Sequence, residues 1–203
     1  MEPWLVAGLG NPGERYARTR HNAGAMVVER LAARFGVHLR KGRFVPALVA
    51  EAKHDGIPLL LATSTTFMNV SGPGLASLAN RRHVSVERVV AVHDEIDLGF
   101  GALKIKRGGS TAGHHGLDSM VEAFRSADFF RVRIGIGRPR GGRWENVDFL
   151  LEPFSKREWE EMDVLIEDAA DATLTVIGEG LSAAQDRFNR TGAPKGTTEA
   201  SSS

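Results

Sequence analysis

The chain has 203 residues, 42% hydrophobic and 25% charged, with no cysteine. That length suits one domain or two small ones with a sizeable core, and the missing thiols exclude a disulfide framework, a Cys-ligated zinc or iron–sulfur centre and a cysteine nucleophile, so a reducing cytoplasm is the expected setting. The formal charge of +1 hides a division, because residues 1–144 carry 21 Lys/Arg against 12 Asp/Glu whereas residues 145–171 carry 2 against 10.

Such segregation suits one face that meets a polyanion and another that stays acidic and solvated, although surface scatter plus one acidic helix would give the same count. No basic run precedes an apolar stretch at the N-terminus, and no window approaches the ~18 apolar residues of a membrane span. Neither secretion nor membrane insertion is expected.

Trp4–Leu9 is a short apolar run stopped by Gly10-Asn11-Pro12-Gly13, which reads as a buried strand entering a turn. From Ala23 the positions Val27, Val28, Leu31, Ala32 and Phe35 recur at helical spacing, with Asn22 placed as N-cap and Gly36 as stop. Further strands are expected at Val45–Ala52, Pro58–Ala62, Val89–His93, Ala102–Lys106, Phe130–Ile136 and Val147–Leu151, with helical patterns near Gly74–Asn80 and Leu117–Phe124. The stripe Trp159, Met162, Ile166, Ala169, Thr173, Val176 predicts a long amphipathic helix, followed by a shorter one around Ser182–Phe188. The alternation implies one three-layer α/β domain over residues 1–190, with a twisted, mixed and mostly parallel central sheet flanked by helices. Residues 191–203, rich in Gly, Thr and Ser, read as a disordered tail.

Gly8-Leu9-Gly10-Asn11-Pro12-Gly13 matches the G-x-G-x-x-G dinucleotide fingerprint, but the helix does not begin within the glycines. The acid required about 20 residues further on is also missing. The nucleophile elbow, the H-E-x-x-H helix and the G-x-x-x-x-G-K-[ST] loop are absent. His93, Asp94, Asp97, His114 and His115 lie close in sequence without recognised metal spacing, so neither metal nor cofactor is expected. What remains is polar residues in loops after strands: His21, Asn69 and Asp94. A neutral imidazole held by a carboxylate can deprotonate water, and Asn11 and Asn69 could donate to a developing oxyanion. Taken singly, each is explained as well by a helix cap or turn.

Together they are not ordinary. Leu5–Tyr16 with Thr19-Arg20-His21-Asn22-Ala23-Gly24, then Thr65-Thr66-Phe67-Met68-Asn69-Val70-Ser71-Gly72, His93-Asp94-Glu95-Ile96-Asp97-Leu98, Gly108–Leu117 and Arg131–Pro139 resemble, in order and spacing, the blocks of bacterial peptidyl-tRNA hydrolases. The resemblance covers residues 4 to about 189. It implies a monomeric, cytoplasmic, metal-independent esterase that releases tRNA and peptide from peptidyl-tRNA. It implies His21 as base, Asp94 as its stabiliser, Asn11 as the group that distinguishes a blocked peptide from a free aminoacyl group, and Asn69 as a substrate donor. Tyr16, Phe67 and Met68 fall at substrate contacts, and Lys106 and Arg133 at the pair that grips the tRNA 5′ phosphate, within a basic region that includes Lys104, Arg107 and Arg131. His114 and His115 join the binding set, with a departure: Gly113-His114-His115-Gly116 stands where the family commonly has Gly-His-Asn-Gly. The competing classes are a non-catalytic RNA-binding relative of the same fold and a dinucleotide oxidoreductase.

Overall fold

The computed structural model describes residues 2–138 and 146–190. The expected tail therefore lies outside the described residues. Seven strands are found among them: β1 (Trp4–Gly8), β2 (Arg40–Lys41), β3 (Ala47–His54), β4 (Ile57–Ser64), β5 (Val89–Glu95), β6 (Leu103–Arg107) and β7 (Phe130–Gly135). They form one sheet in the order β2-β3-β4-β1-β5-β7-β6. The central four, β4-β1-β5-β7, are mutually parallel, while β3 and β6 pair antiparallel at the flanks.

The helices are α1 (Ala23–Arg34), α2 (Gly72–Arg81), α3 (His115–Phe124), α4 (Asn146–Leu151), α5 (Lys156–Glu179) and α6 (Leu181–Phe188). Strand periodicity of two sorts the core into two layers. Val6, Leu59, Leu61, Val90 and Val92 pack with Val27, Val28 and Leu31 of α1 and Met162, Leu165, Ile166 and Ala169 of α5. On the other face Leu5, Ala7, Leu60, Ala62, Val89 and Ala91 meet Leu75 and Leu78 of α2 and Leu117 and Met120 of α3. Every residue of β5 is buried, as a central parallel strand covered on both faces must be.

The elements expected from sequence form, with two differences. Val147–Leu151 lies in helix α4 rather than a strand. Val147, Leu150 and Leu151, at helical spacing, share one cleft wall, and five residues are too few for the run to reveal its period. Strand β2 was not expected, because its two residues, Arg40 and Lys41, are exposed cations without an apolar pattern. Helix α5 starts at a reciprocal cap: Ser155 accepts from the Glu158 N–H while the Glu158 side chain accepts from the Ser155 N–H.

The first turn of α1 is pressed against the carboxyl ends of β1 and β5. The Leu9 N–H donates to the Val92 carbonyl and the Ala25 N–H to the Leu9 carbonyl, both at 3.0 Å. Gly24 permits this approach, since a Cβ there would lie 2.0 Å from the Val92 oxygen, a backbone atom that cannot swing away. Gly24→Ala should therefore destabilise the protein by about 1–3 kcal/mol or more, measured by urea unfolding. Wild-type stability would show that the contact relaxes.

Candidate active site

The carboxyl ends of β1, β4 and β5 deliver three loops to one edge of the sheet, where ligands of open α/β sheets bind. A cleft of about 570 Å³ opens there, lined by Asn11, His21, Met68, Asn69, Asp94 and His115 together with the apolar wall of α4. Asn11 arrives from the turn after β1. His21 belongs to a 3-10 turn (Arg20–Asn22) that runs straight into α1, and Asn69 to another (Met68–Val70) after β4.

Asp94 lies at the end of β5 and is almost wholly buried. Both of its oxygens are 3.0 Å from His21 Nδ1, and Oδ1 is 2.9 Å from His114 Nε2. Burial alone would push this carboxyl up; the His21 and His114 rings beside it hold it well below the usual carboxylate range. His114 was expected to contact RNA, yet both of its ring nitrogens are engaged inside the protein. Its Nδ1 accepts from the N–H groups of Gly116 (3.1 Å) and Leu117 (3.3 Å), so that the ring caps α3. Burial works against a charge on His114, but the Asp94 carboxylate prevails and raises its pKa above the ordinary histidine value. Opposing that pull, Nδ1 faces two backbone N–H donors and acts as their acceptor, which places the ring hydrogen on Nε2, donating to Asp94. His21 then donates through Nδ1, and its Nε2 carries the free lone pair.

His21, Asp94 and His114 also have the proximity of a metal-binding trio. A bridging cation would require both hydrogens directed at Asp94 to leave, and that of His114 to move onto Nδ1 against two backbone donors. The protonation pattern thus fits a hydrogen-bonded relay rather than a ligand set. His93, fully buried beside His114 with ring centroids 4.9 Å apart, is driven well below the ordinary histidine pKa by burial and then by His114. Its Nδ1 donates to the Asp94 carbonyl at 2.6 Å, which further fixes the strand end.

Asn22 occupies the N-cap position of α1 without capping it. Its side chain instead accepts from the Asn11 N–H and donates to the Asn11 carbonyl, each at 2.9 Å. Asn11 Oδ1 accepts from the Met68 N–H at 2.8 Å, which assigns the amide orientation and leaves the NH₂ group as the free end of a cleft-lining side chain. The sequence alone marks Asn22 as a cap, and its asparagine-to-asparagine bridge has no local signal. Met68, buried among core residues, also lines the cleft. Asn69 is exposed along the cleft wall. Tyr16 and Phe67 lie outside the cleft lining and pack edge to face with ring centroids 6.3 Å apart.

The basic residues form a ladder on β6 and β7, where Lys104 faces Arg133 and Lys106 faces Arg131. Arg131 is fully buried and donates to the carbonyls of Ser110 (2.7 Å) and Gly109 (2.8 Å), so it shapes the turn instead of facing solvent. Arg107 is paired with Asp128. Arg133 donates to Glu95 through Nε (3.2 Å) and Nη2 (3.0 Å), which leaves Nη1 uncommitted among the described residues. His115 opens α3, exposed beside the cleft.

The dual bonding of His114 makes a separable prediction. His114→Asn supplies a good helix cap but is too short to span both α3 and Asp94. It should lower kcat and lose only the stability that the Asp94 contact supplies, whereas His114→Ala should lower kcat and lose about 1 kcal/mol more through the missing cap. Full activity of the Asn variant, in steady-state assays, would show that Asp94 needs no second donor.

This geometry has relatives. The peptidyl-tRNA hydrolase family model matches residues 5–196. A peptidyl-tRNA hydrolase of Frankia casuarinae is 48% identical over 187 residues, covering 92% of this chain and 94% of the relative. One of Nocardia farcinica is 46% identical over 191 residues, covering 92% and 96%. The crystal structure of peptidyl-tRNA hydrolase from Acinetobacter baumannii superposes with a TM-score of 0.87 at 31% identity, covering 94% of this chain and 96% of that one. Coverage at this level, with the buried His21–Asp94 pair at the sheet edge, places the chain: it belongs to the peptidyl-tRNA hydrolase family.

Proposed function

We propose that the chain hydrolyses the ester between a peptide carbonyl and the terminal ribose of tRNA, with His21 as general base. The observation that carries this is the ring of His21, fixed through Nδ1 by a buried carboxylate while its Nε2 remains free beside the cleft. A water molecule deprotonated at Nε2 attacks the carbonyl, and the imidazolium that forms is stabilised by Asp94. Because His114 and the buried strand end hold Asp94 rigid, this charge compensation is present before the reaction begins. No covalent enzyme intermediate is required, since an activated ester needs one activated water.

The free NH₂ of Asn11 and the amide of Asn69 supply donors for a carbonyl oxygen as it gains charge. A neutral peptide amide can enter beside Asn11 with little penalty, whereas the ammonium of an unblocked aminoacyl group must shed its water. The apolar wall of Val147, Leu150 and Leu151 sharpens that difference. The non-catalytic RNA-binding alternative is not favoured, because it gives no reason for a buried carboxylate oriented by two rings. The dinucleotide reading fails on space. A Cβ at Gly8 would lie 2.5 Å from the Gly24 carbonyl and one at Gly10 would lie 2.9 Å from Ala25 Cβ, so these glycines serve helix-to-turn contact and leave no pyrophosphate site.

The β6–β7 ladder supports recognition of an RNA phosphate by Lys106 and Arg133, with Lys104 alongside. Lys106 and Arg133 are diagonal neighbours on one face of the β6–β7 pair, where like charges repel, and a phosphate between them converts that repulsion into attraction. Burial, and next the charges of Arg133 and Arg131, lower the Lys106 pKa. No helix among the described residues is long and apolar enough to cross a membrane. Our reading includes a monomer in the cytoplasm, checked by sedimentation and fractionation.

With N-acyl-aminoacyl-tRNA as substrate, His21→Ala should lose roughly 10²–10⁴-fold in kcat while retaining tRNA affinity, and Asp94→Asn should also be slow. Chelators should not inhibit the wild type. Near-normal turnover by the alanine variant, or abolition by a chelator, would overturn the mechanism.

Lys106→Ala and Arg133→Ala should raise KM for full-length peptidyl-tRNA far more than for a short substrate without the 5′ phosphate. A phosphate favours the charged lysine and so raises its pKa on binding. Affinity must therefore fall as pH rises through the lowered free-state value, at lower pH than for an unperturbed lysine. Lys106→Arg should remove that alkaline loss of tRNA affinity. A wild-type alkaline profile in the Arg variant would exclude Lys106 as the group that titrates.

A further inference from the structure

Phe44 is the most exposed large apolar side chain among the described residues, at 72%, and its backbone has the left-handed φ of 64°. Both features oppose an aromatic residue: the ring gains little from burial, and a bulky L-residue is strained in that region. Cations surround it. The Arg43 guanidinium lies 4.9 Å from the ring centroid and that of Arg81, at the end of α2, lies 5.8 Å away. The two residues of β2 that lead into this turn, Arg40 and Lys41, are exposed cations as well. Among the described residues none of these four has a carboxylate partner, although neighbouring Arg82 is paired with Glu51.

The turn is fixed rather than loose. The Gly42 N–H donates to the Ala47 carbonyl at 2.7 Å, and the Thr65 N–H donates to the Pro46 carbonyl at 3.0 Å. Ala47 stands opposite Ser64, the carboxyl end of β4, and Arg81 reaches the ring from the far end of α2, so the patch lies over the β3 side of the sheet.

We propose that Phe44, with Arg40, Lys41, Arg43 and Arg81, forms a second RNA contact surface, on which the ring stacks on an unpaired base of the substrate tRNA while the four cations meet its phosphates. The inference rests on the peptidyl-tRNA reading and extends it beyond the ester and the β6–β7 ladder. A polyanion with aromatic faces is the partner whose chemistry matches one solvent-facing ring among unpaired cations. An apolar protein interface would require a wider hydrophobic patch than one ring.

The test measures affinity for deacylated tRNA by fluorescence anisotropy. Phe44→Ala should weaken binding on the order of tenfold, and the paired Arg43→Ala, Arg81→Ala variant should flatten the salt dependence by a slope of about two. Phe44→Trp should restore affinity, and its added emission should be quenched by tRNA. Phe44→Gly separates this role from a structural one, because relief of the left-handed strain should raise Tm while tRNA affinity falls. Full-length peptidyl-tRNA should show a raised KM in these variants, with cleavage of N-acyl-aminoacyl-adenosine following the wild type. Wild-type tRNA affinity in both the Phe44→Ala and the double Arg variants overturns the proposal. So does equal loss on the adenosine substrate, or a self-association that Phe44→Ala abolishes while tRNA affinity persists. Because the primary readout is binding, it stands independently of whether the ester is cleaved.

Discussion

A carboxylate taken out of water is tolerated only if its charge and lone pairs are met, and the site is organised around meeting those of Asp94. Two ring N–H groups do so, one from the turn before α1 and one from the residue before α3. The two helices lie on opposite faces of the sheet, so this single buried anion ties both outer layers to the end of the central strand. Its orientation follows from a hydrogen-bond direction set far from the reacting atoms. The backbone N–H groups at the start of α3 demand an acceptor, which fixes the tautomer of His114, which in turn presents a donor to Asp94. The free lone pair on His21 is the far end of that sequence.

Close approach is the second constraint. Gly8 and Gly24 bring β1, the start of α1 and the end of β5 into backbone contact, and Gly10 lets the Ala25 and Asn22 side chains close on the turn, approaches that a single methyl group would prevent. Within that contact Asn22 holds the backbone of Asn11 on both sides, and the Met68 N–H holds its side-chain oxygen. A residue pinned at three points, two on its backbone and one on its side-chain oxygen, donates from its amide in one direction, as a group that recognises a peptide must.

Around this rigid centre the surface is unsatisfied in a consistent way. Cations face one another across β6 and β7, and others crowd an exposed ring at the turn before β3, at energetic cost to the free protein. The acidic excess of residues 145–171 is partly spent within the fold, where Arg30 and Arg34 of α1 pair with Asp163, Glu167 and Asp171 of α5. The segregation visible in the sequence is thus in part an interhelical pairing and in part a field directed outward.

Much of the fold was legible because it rests on local periodicity: the apolar run of β5 and the stripe of α5 are each written in one short stretch of chain. The resemblance of the blocks around His21, Asn69 and Asp94 likewise named the cleft. Where the sequence was ambiguous, the run was short, as at Val147–Leu151, or had no apolar signal, as at Arg40–Lys41. What tertiary structure alone decided was partnership. That Asn22 bridges Asn11 instead of capping α1, that His114 turns inward to orient Asp94, and that Arg131 is buried under a turn while Arg133 stays half exposed all depend on which groups meet from distant positions. Side-chain type gives the capacity to donate or accept, but only the packed backbone determines which donor reaches which acceptor first.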